Sequence, residues 1–403
     1  MFLARANRRE LAVIIAILLV SFFLHALLLD PKFDGPDAIS NFMFAKRGQD
    51  WSFWLQPDAF WSNLFPMGYG SFLALLARLT GGSLVLVQWL QIVMALMMAI
   101  AGWSITRHVS KPARLLTLAA IAFSPSVLWL SRTNGYEVLL AFTVTISFAI
   151  LWGNGGRHVP AERWQVVGPL LAGFLMGVAM LSQGKVAVLL PLFLVMALRW
   201  GRVQALVFVF SATLLPLLWS VRNLLVLNRF YPFNSSSEVV IWMGNNWTTE
   251  KGNYVADVPP LPDGYSSFYA ASLDFVLTQP EKAFELLLIR MGRLLEPTYI
   301  YLPDMPQIGN VLLHFVFIAL AVVGAFLFAA YSFGRLWVGP PVLPPVGAAA
   351  VAVWLFILVH LPFATETRHI NPIVPLALCV TTPTAVALIT RAMRARNESR
   401  MHA

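Results

Sequence analysis

Apolar runs of membrane-spanning length recur along most of the chain, with short polar segments between many of them. A helix of about 20 apolar residues crosses the hydrocarbon core of a bilayer. The pattern therefore predicts an all-α, polytopic membrane protein with about ten transmembrane helices. The predicted spans are 11–30, 82–104, 114–131, 137–153, 166–182, 184–199, 203–221, 308–331, 346–362 and 370–390.

The first long interruption of this pattern is the segment 31–81. Residues 38–48 are predicted to form a short helix along the membrane interface, and residues 71–79 are apolar but too short to span a bilayer. The latter stretch is predicted to be a re-entrant or interfacial helix. Several tryptophans between the two suit the headgroup level of the membrane; they are Trp51, Trp54 and Trp61.

The second long interruption, 222–307, is the one polar block large enough to form a small cap. Asn, Ser, Gly and Pro dominate residues 233–266, and residues 267–296 have an amphipathic helical pattern. We interpret this block as a lid over the membrane helices. The predicted organisation has three parts: 1–221, an N-terminal membrane domain with the first outer loop; 222–307, the outer cap loop; and 308–403, C-terminal membrane helices.

The charges orient this topology. Of all residues, 58% are hydrophobic and 12% are charged, and the net charge is +9. Such a net charge could indicate nucleic-acid binding, but basic residues gather here in alternate short loops, which is typical of the cytoplasmic side of membrane proteins. We therefore expect no nucleic-acid partner, a plasma (inner) membrane location and cytoplasmic N- and C-termini. The basic residues that carry this inference include Arg8, Arg9, Arg107, Arg114, Arg199, Arg202, Arg391 and Arg394.

The acidic residues show the opposite asymmetry. Of the 19 Asp and Glu residues, this topology leaves only Glu10, Glu162 and Glu398 on the cytoplasmic side. The other sixteen fall in the outer loops or at the adjoining ends of the spans. This distribution predicts a working site at the outer, periplasmic face.

Cysteine content and metal motifs restrict the chemistry. The single cysteine, Cys379, excludes an intramolecular disulfide, and the sequence has no HExxH, CxxC pair or Walker loop. The first apolar run is too long for a cleaved signal peptide. No cofactor is indicated. An Asp/Glu cluster could still hold a hard divalent cation through oxygen ligands, so that alternative stays open.

The sharpest polar motif follows the first span directly, as Asp34-Gly-Pro-Asp37 continuing to Asn41 and Ala45. Pro36 suits the start of a helix, and a carboxylate near that start is favoured by the helix dipole. A carboxylate held at the membrane surface can act as a general base towards a hydroxyl group. The alternative is a simple helix cap.

Other candidate residues lie at the outer ends of the spans. Glu137 opens the fourth span, and an ionisable residue at a span end can mark function or be a hydrated interfacial side chain. Lys185, Arg222 and Arg368 face outwards, against the usual bias of basic residues, and could bind a phosphate. The alternative for Arg368 is an ion pair with the nearby Glu366.

At these residues the chain resembles the GT-C class of integral-membrane glycosyltransferases, in particular the branch of protein O-mannosyltransferases and lipid A aminoarabinose transferases. The resemblance covers about residues 10–390 and consists of five pieces in the family's order. These are Asp37 with Ala45; Pro66, Gly68, Tyr69 and Gly81; Glu137; Arg222, Asn223, Gly244, Asn245 and Asn246; and Arg368, His369 and Pro372.

The resemblance implies a GT-C-like fold and a sugar donor linked to a polyprenyl phosphate. It implies Asp37 or Asp34 as the catalytic base, with Glu137 orienting the acceptor or Asp37. Lys185, Arg222 and Arg368 would bind the donor phosphate. The expected substrate-binding residues are Tyr69, Asn245, Asn246 and His369.

These expectations describe a transferase that moves the sugar to an acceptor hydroxyl at the outer face, with membrane lipids around it. The acceptor stays open between a lipid, a glycan and a protein. One alternative is a flippase or transporter of lipid-linked sugars, whose polar residues would lie inside the spans. Another is an O-antigen-type ligase or polymerase, which also uses a large outer loop.

Overall fold

The computed structural model describes residues 7–29, 43, 45–48, 50, 52–53, 67–133, 135–154, 162–233, 236–250, 258–294, 345–364 and 367–401. Helices and turns account for all regular structure within these ranges, which contain no β-strand. The all-α prediction is therefore confirmed for this part of the chain. The predicted span 308–331 and the motif with Asp34 and Asp37 lie outside the described residues.

The described helices are numbered in chain order. They are α1 (Arg8–Leu27), α2 (Met67–Thr80), α3 (Leu84–Ile105), α4 (Lys111–Ala122), α5 (Pro125–Arg132), α6 (Tyr136–Asn154), α7 (Glu162–Ser182), α8 (Leu190–Leu198), α9 (Arg202–Leu227), α10 (Ser236–Gly244), α11 (Phe268–Thr278), α12 (Pro280–Leu294), α13 (Pro345–His360) and α14 (Val374–Met401). Short 3₁₀ helices, Gly184–Leu189 and Thr367–Ile373, lead into α8 and α14.

Five of these helical stretches are long and apolar enough to cross a membrane: Arg8–Leu27, Val85–Ile105, Trp164–Ser182, Arg202–Leu227 and Arg368–Glu398. The bent pair α4–α5 makes a sixth if it acts as one span. Shorter apolar helices coincide with the remaining predicted spans in the described ranges: Tyr136–Trp152, Gly184–Leu198 and Val346–His360. The polytopic membrane fold is confirmed, and the number of ten spans stays a prediction.

Local sequence signals account for the helix boundaries. The Asn7 side chain accepts a hydrogen bond from the Glu10 backbone N–H at 2.9 Å and so caps α1. The long helix α9 ends at Asn228, whose φ of 52° places it in the left-handed region that asparagine tolerates at a helix end.

A break between α4 and α5 bends one predicted span by 41°. Pro125 causes it, because proline has no N–H to continue the preceding helix but suits the first turn of a new one. A carbonyl left open at such a break must find a donor inside a membrane. The Ser21 hydroxyl of α1 donates to the Ala122 carbonyl at 2.8 Å and fills that role.

Close backbone contact joins α7 to α9. Gly173 faces α9 so closely that a Cβ there would overlap the Phe208 carbonyl oxygen and lie 2.9 Å from Ser211 Cβ. The Ser211 hydroxyl in turn donates to the Leu170 carbonyl at 2.7 Å. Small residues that admit close helix contact, supported by hydrogen bonds, are the usual basis of helix packing in membranes.

The described part of the segment 222–307, which the sequence predicts to be a cap and which we call the cap, is more helical than predicted. One helix, α10, forms where Asn, Ser, Gly and Pro dominate the composition, and the amphipathic stretch 267–296 divides into α11 and α12 at Pro280. The Trp247 ring lies between the helices, 5.7 Å from the Trp242 ring and 5.9 Å from the Phe275 ring by their centroids. A small aromatic core therefore holds the cap helices together.

The two ends of α6 have opposite character. Glu137 lies in the first turn of α6, whereas Trp152, near the last turn, has the Arg199 guanidinium 4.1 Å from its ring centroid. The Arg107 side chain also donates to the Trp152 carbonyl, at 3.5 Å. A rise of 1.5 Å per residue separates the two ends by roughly 22 Å. Glu137 and the arginines predicted to be cytoplasmic thus lie at opposite ends of the same helix.

The close α7–α9 contact predicts a pair of glycine substitutions with different outcomes. Gly173→Val should lower the free energy of unfolding by about 2 kcal/mol, since the added carbons push against the α9 backbone. Gly292→Ala in α12 should be neutral or stabilising, because no atom lies within 4 Å of the added carbon. Thermal unfolding of the purified variants in detergent measures both; equal shifts would contradict the packing argument.

Candidate active site

A buried ion pair lies at the end of the bundle where α6 begins. Arg368 Nη1, in the 3₁₀ helix before α14, is 3.3 Å from Glu137 Oε1, and the two side chains are 7% and 1% exposed. The sequence singled out both residues but for separate roles, one catalytic and one for donor phosphate. Glu366, the alternative partner of Arg368, lies outside the described residues. The pairing places the carboxylate where it can hold the guanidinium in position.

A hydrogen-bond network from α2 and α3 lies beside this pair. The hydroxyl of the fully buried Tyr69 accepts a hydrogen bond from Gln91 Nε2 at 3.0 Å, and Gln91 also donates to the Thr133 carbonyl at 3.1 Å. Burial, and then the charge of Glu137, raise the pKa of Tyr69. The phenol therefore stays protonated at neutral pH.

The second glutamine of this network, Gln88, donates from Nε2 to the Arg132 carbonyl at 3.1 Å. Gln88 and Gln91 together cap the carboxyl end of α5, just before the turn that leads to Glu137. At Gly135 in that turn a Cβ would overlap the Glu137 carboxylate, so a larger residue there would displace the Glu137 side chain. Sequence reasoning missed both glutamines; two polar residues three positions apart in an apolar span were the available signal.

Two histidines lie next to this group of polar side chains, and one of them, His369, directly follows Arg368 in sequence. The His360 and His369 ring centroids are 5.8 Å apart, and both side chains are buried. His360 Nδ1 is 2.7 Å from the Phe356 carbonyl oxygen, so Nδ1 carries the donated proton, and Nε2 accepts from Gln183 Nε2 at 3.2 Å. These partners hold His360 as the neutral Nδ1–H tautomer and fix its ring.

Lys185 lies in the 3₁₀ helix Gly184–Leu189, which follows Gln183 and leads into α8. Its Nζ is 4.2 Å from the centroid of the Phe363 ring. Within the described ranges no carboxylate lies in ion-pair distance of this ammonium group. The aromatic face of Phe363 thus holds the ammonium group by a cation–π contact.

Arg222 is connected to the same region through aromatic side chains. Its guanidinium is 4.8 Å from the Trp219 ring centroid, and Nη1 donates to Asn223 Oδ1 at 3.0 Å. Trp219 Nε1 donates to the Phe233 carbonyl at 2.9 Å, and the Phe233 ring packs against Gly184 beside Lys185. These contacts lead from Arg222 to the neighbourhood of Lys185 through Trp219 and Phe233.

Asn245 and Asn246 use their amide groups to shape the cap. Asn245 Nδ2 donates to the Ile241 carbonyl at 2.8 Å and to the Pro362 carbonyl, while Asn246 Nδ2 donates to the Trp242 carbonyl at 2.7 Å. Asn246 Oδ1 accepts from the Thr248 N–H at 2.9 Å. Both side chains are buried. Asn245 thereby joins the cap to the turn after α13, whereas the described partners of Asn246 lie within the cap.

Sequence reasoning missed Arg290 in α12, whose side chain is 1% exposed. Its Nη1 donates to the Gly244 carbonyl at 2.7 Å, and its Nη1 and Nη2 lie 3.2 Å and 3.1 Å from Asn245 Oδ1. Burial lowers the pKa of Arg290 to about 10, so it remains charged at neutral pH. A signal existed, because Ala283, Leu286, Arg290 and Leu294 share one helical face.

We call Tyr69, Glu137, Lys185, His360, Arg368 and His369 the polar cluster; contacts or close charges connect them at one end of the bundle. No three His, Cys, Asp or Glu side chains come together as a metal site among the residues that the structure describes. Asp34 and Asp37 lie outside those residues, so both stay predictions.

No protein-family model matches the chain, and no sequence match to a curated protein was found. Solved structures match its fold. The archaeal oligosaccharyltransferase AglB from Archaeoglobus fulgidus, in complex with an inhibitory peptide and a dolichol-phosphate, is 11% identical with a TM-score of 0.50, over 96% of this chain and 52% of that one. The oligosaccharyltransferase of the same organism in its apo form is 14% identical with a TM-score of 0.53, over 97% and 52%.

ArnT from Cupriavidus metallidurans bound to undecaprenyl phosphate is 16% identical with a TM-score of 0.52, over 95% of this chain and 61% of that one. The chain therefore spans between 52% and 61% of the length of the chains in these three structures. At such identities the likeness establishes the fold. The GT-C-like membrane fold that the sequence predicted is confirmed.

The Glu137–Arg368 pair predicts strong coupling between its two residues. Glu137→Gln or Arg368→Gln alone leaves the opposite charge buried and should lower the free energy of unfolding by about 3 kcal/mol. The double variant should be more stable than either single one. Unfolding of all four proteins in detergent measures the coupling.

The matched control is the pair of Glu10 with Arg114 at the other end of the molecule. It is longer, at 3.7 Å, and its arginine side chain is 16% exposed. Its coupling should be smaller. Additive effects of the Glu137 and Arg368 substitutions would contradict the assignment of a coupled buried pair.

Proposed function

We propose that this chain is an integral-membrane glycosyltransferase that moves a sugar from a polyprenyl-phosphate donor to an acceptor hydroxyl. The observation that carries the proposal is the polar cluster itself. It gathers buried charged and hydrogen-bonding groups at one end of an apolar bundle that has the fold of AglB and ArnT. Solved structures of those two proteins contain dolichol-phosphate and undecaprenyl phosphate.

The physical nature of such a donor fits this position. A long isoprenoid tail stays in the bilayer, so the sugar-phosphate head group lies at the membrane surface. A site at the ends of the spans meets the head group there, and water-poor surroundings strengthen each electrostatic contact. In this proposal the site faces the periplasm from the inner membrane, with both termini in the cytoplasm.

Asp37 is proposed as the general base, with Asp34 as the other candidate in that loop. It accepts the proton of the acceptor hydroxyl while the hydroxyl oxygen forms a bond to the anomeric carbon. The bond from that carbon to the phosphate oxygen breaks, and polyprenyl phosphate leaves with the electron pair. The carboxylate ends the step protonated, and the leaving group gains negative charge.

Lys185, Arg222 and Arg368 are proposed to offset that charge as it grows. The ion pair suggests a refined role for Glu137: it holds Arg368 rather than the acceptor. Tyr69 and His369 are proposed to contact the donor head group, and Asn245 and Asn246 to shape the cap beside it. Lipid, glycan and protein hydroxyls all remain candidate acceptors.

Asp37→Asn should reduce sugar transfer by at least about a thousandfold, since the amide cannot accept the proton. The control is Asp50→Asn, in the same outer loop, where the exposed carboxylate accepts hydrogen bonds from Ser52 N and Oγ at 2.9 and 2.7 Å. That variant should keep normal activity.

The measurement is release of labelled sugar by purified protein from polyprenyl-phosphate and polyprenyl-diphosphate donors. Near-normal turnover of Asp37→Asn would remove the base assignment. Preference for the diphosphate donor would favour a ligase or polymerase, and flipping of the donor in proteoliposomes without transfer would favour a flippase.

The proposed orientation predicts which introduced cysteines react from outside. Cys379 is buried, so the native background of maleimide labelling should be low. In spheroplasts, a membrane-impermeant maleimide should label Asp37→Cys directly. Arg394→Cys, on the exposed part of α14, should react only after permeabilisation. The reverse pattern would place the loop with Asp37 in the cytoplasm and overturn the proposed site.

A further inference from the structure

Arg290 is the least expected charge in the described cap. Its side chain is almost fully buried, and its hydrogen-bond acceptors are the Gly244 carbonyl and the Asn245 amide oxygen. Among the described residues, no carboxylate lies within ion-pair distance, and Nε has no hydrogen-bond partner. Burial of a charged group without an opposite charge is costly. A purely apolar side chain would serve the stability of the cap better, which points to another role.

Arg290 holds two cap residues that in turn grip the turn after α13. Asn245 Nδ2 donates to the Pro362 carbonyl, and the Ala364 N–H donates to the Val240 carbonyl of α10 at 3.1 Å. At Gly244 a Cβ would come within 2.7 Å of Arg290 Nη1, 2.8 Å of Ala364 N and 3.0 Å of the Phe363 carbonyl carbon. The guanidinium, α10 and residues 361–364 are therefore packed in direct contact.

The turn 361–364 contacts one member of the polar cluster and precedes the segment that carries two others. The Phe363 ring is the surface on which the Lys185 ammonium group lies, at 4.2 Å. The chain then continues through the 3₁₀ helix Thr367–Ile373, which carries Arg368 and its contact with Glu137. A shift of residues 361–364 would therefore move the Phe363 ring, on which Lys185 lies, together with the start of the segment that carries Arg368.

We propose that Arg290 is a positioning residue, which sets the spacing of Lys185 and Arg368 by clamping residues 361–364 to α10. The inference rests on the proposed function, because the spacing matters for binding a lipid-linked phosphate. Arginine suits this task because its planar fork spans two acceptors at once, whereas lysine cannot reproduce that geometry. Arg290 itself does not touch the substrate in this proposal.

The test compares substitutions within α12. Arg290→Met removes the charge and the fork, and Arg290→Lys keeps the charge without the fork. Both should weaken binding of undecaprenyl phosphate by about tenfold to about a hundredfold, as loss of a buried charge-assisted hydrogen bond predicts. The matched control is Arg293→Met, because Arg293 is a half-buried arginine one turn further along the same helix. This variant should bind undecaprenyl phosphate normally.

A second pair of variants probes the acceptor. Asn245→Asp keeps the oxygen that faces Arg290 but loses the Nδ2 donor to the Pro362 carbonyl, and Asn245→Leu removes both groups. Both variants should therefore weaken binding. The Asn245→Leu and Arg290→Met effects should be non-additive, because both break the same clamp. These variants also keep the inference testable if Arg290→Met does not fold.

Two further readouts separate positioning from a general loss of structure. Hydrogen exchange followed by mass spectrometry should show faster exchange in peptides covering 361–373 for Arg290→Met and Arg290→Lys, with the α7–α9 peptides unchanged. In the transfer assay the donor KM should rise, and the acceptor KM should stay within about twofold of the wild type.

The outcomes distinguish this inference from the proposed function. Normal binding of undecaprenyl phosphate by wild type and by both Arg290 variants would overturn the inference alone. So would unchanged exchange over 361–373, or faster exchange spread evenly over all the helices. No binding by the wild-type protein would refute the proposed function, and the positioning role with it.

Discussion

The site depends on one electrostatic constraint, which is that a charge buried among apolar helices needs an opposite charge or several hydrogen bonds. Glu137 and Arg368 satisfy it for each other at 3.3 Å. Their contact joins the start of α6 to the segment before α14, so two parts of the chain far apart in sequence meet at one end of the bundle. Hydrogen bonds serve the neighbouring polar groups in the same way: Gln91 donates one to the Tyr69 hydroxyl, and Gln183 donates one to His360.

The bundle around this site obeys the related rule that backbone polar groups inside a membrane need partners within the protein. Helices provide most of them. At the break between α4 and α5 the hydroxyl of Ser21 fills the gap, and at the carboxyl end of α5 Gln88 and Gln91 do so. The irregular segments of the bundle are thus also the places where polar side chains concentrate. Gln91 links such a segment to Tyr69, beside the proposed site.

Much of the fold was predictable because membrane helices leave a strong pattern. The apolar runs predicted α1, α3, α7 and α9 closely, and Glu137 could be placed at the start of α6. The short helix α10 was not predictable in this way, since Trp242 and Asn245 bind residues outside the helix, at Pro259 and Pro362. The same holds for Arg290. Its position on the apolar face of α12 indicated burial, but its hydrogen-bond partner Gly244 lies 46 positions away and could not be predicted from local sequence.

The sequence by itself determined that the chain is an all-α membrane protein, which residues lie at the ends of its spans, and which of them have the chemistry to bind an anion. Hydrophobic length and charge distribution act locally, so a linear pattern is enough to reveal them. The tertiary structure alone decided that Arg368 pairs with Glu137, that Gln183 meets His360 across 177 positions, and that Arg290 donates to the Gly244 carbonyl and to Asn245. Those choices depend on how whole helices pack, and many packings are compatible with the same sequence of apolar runs.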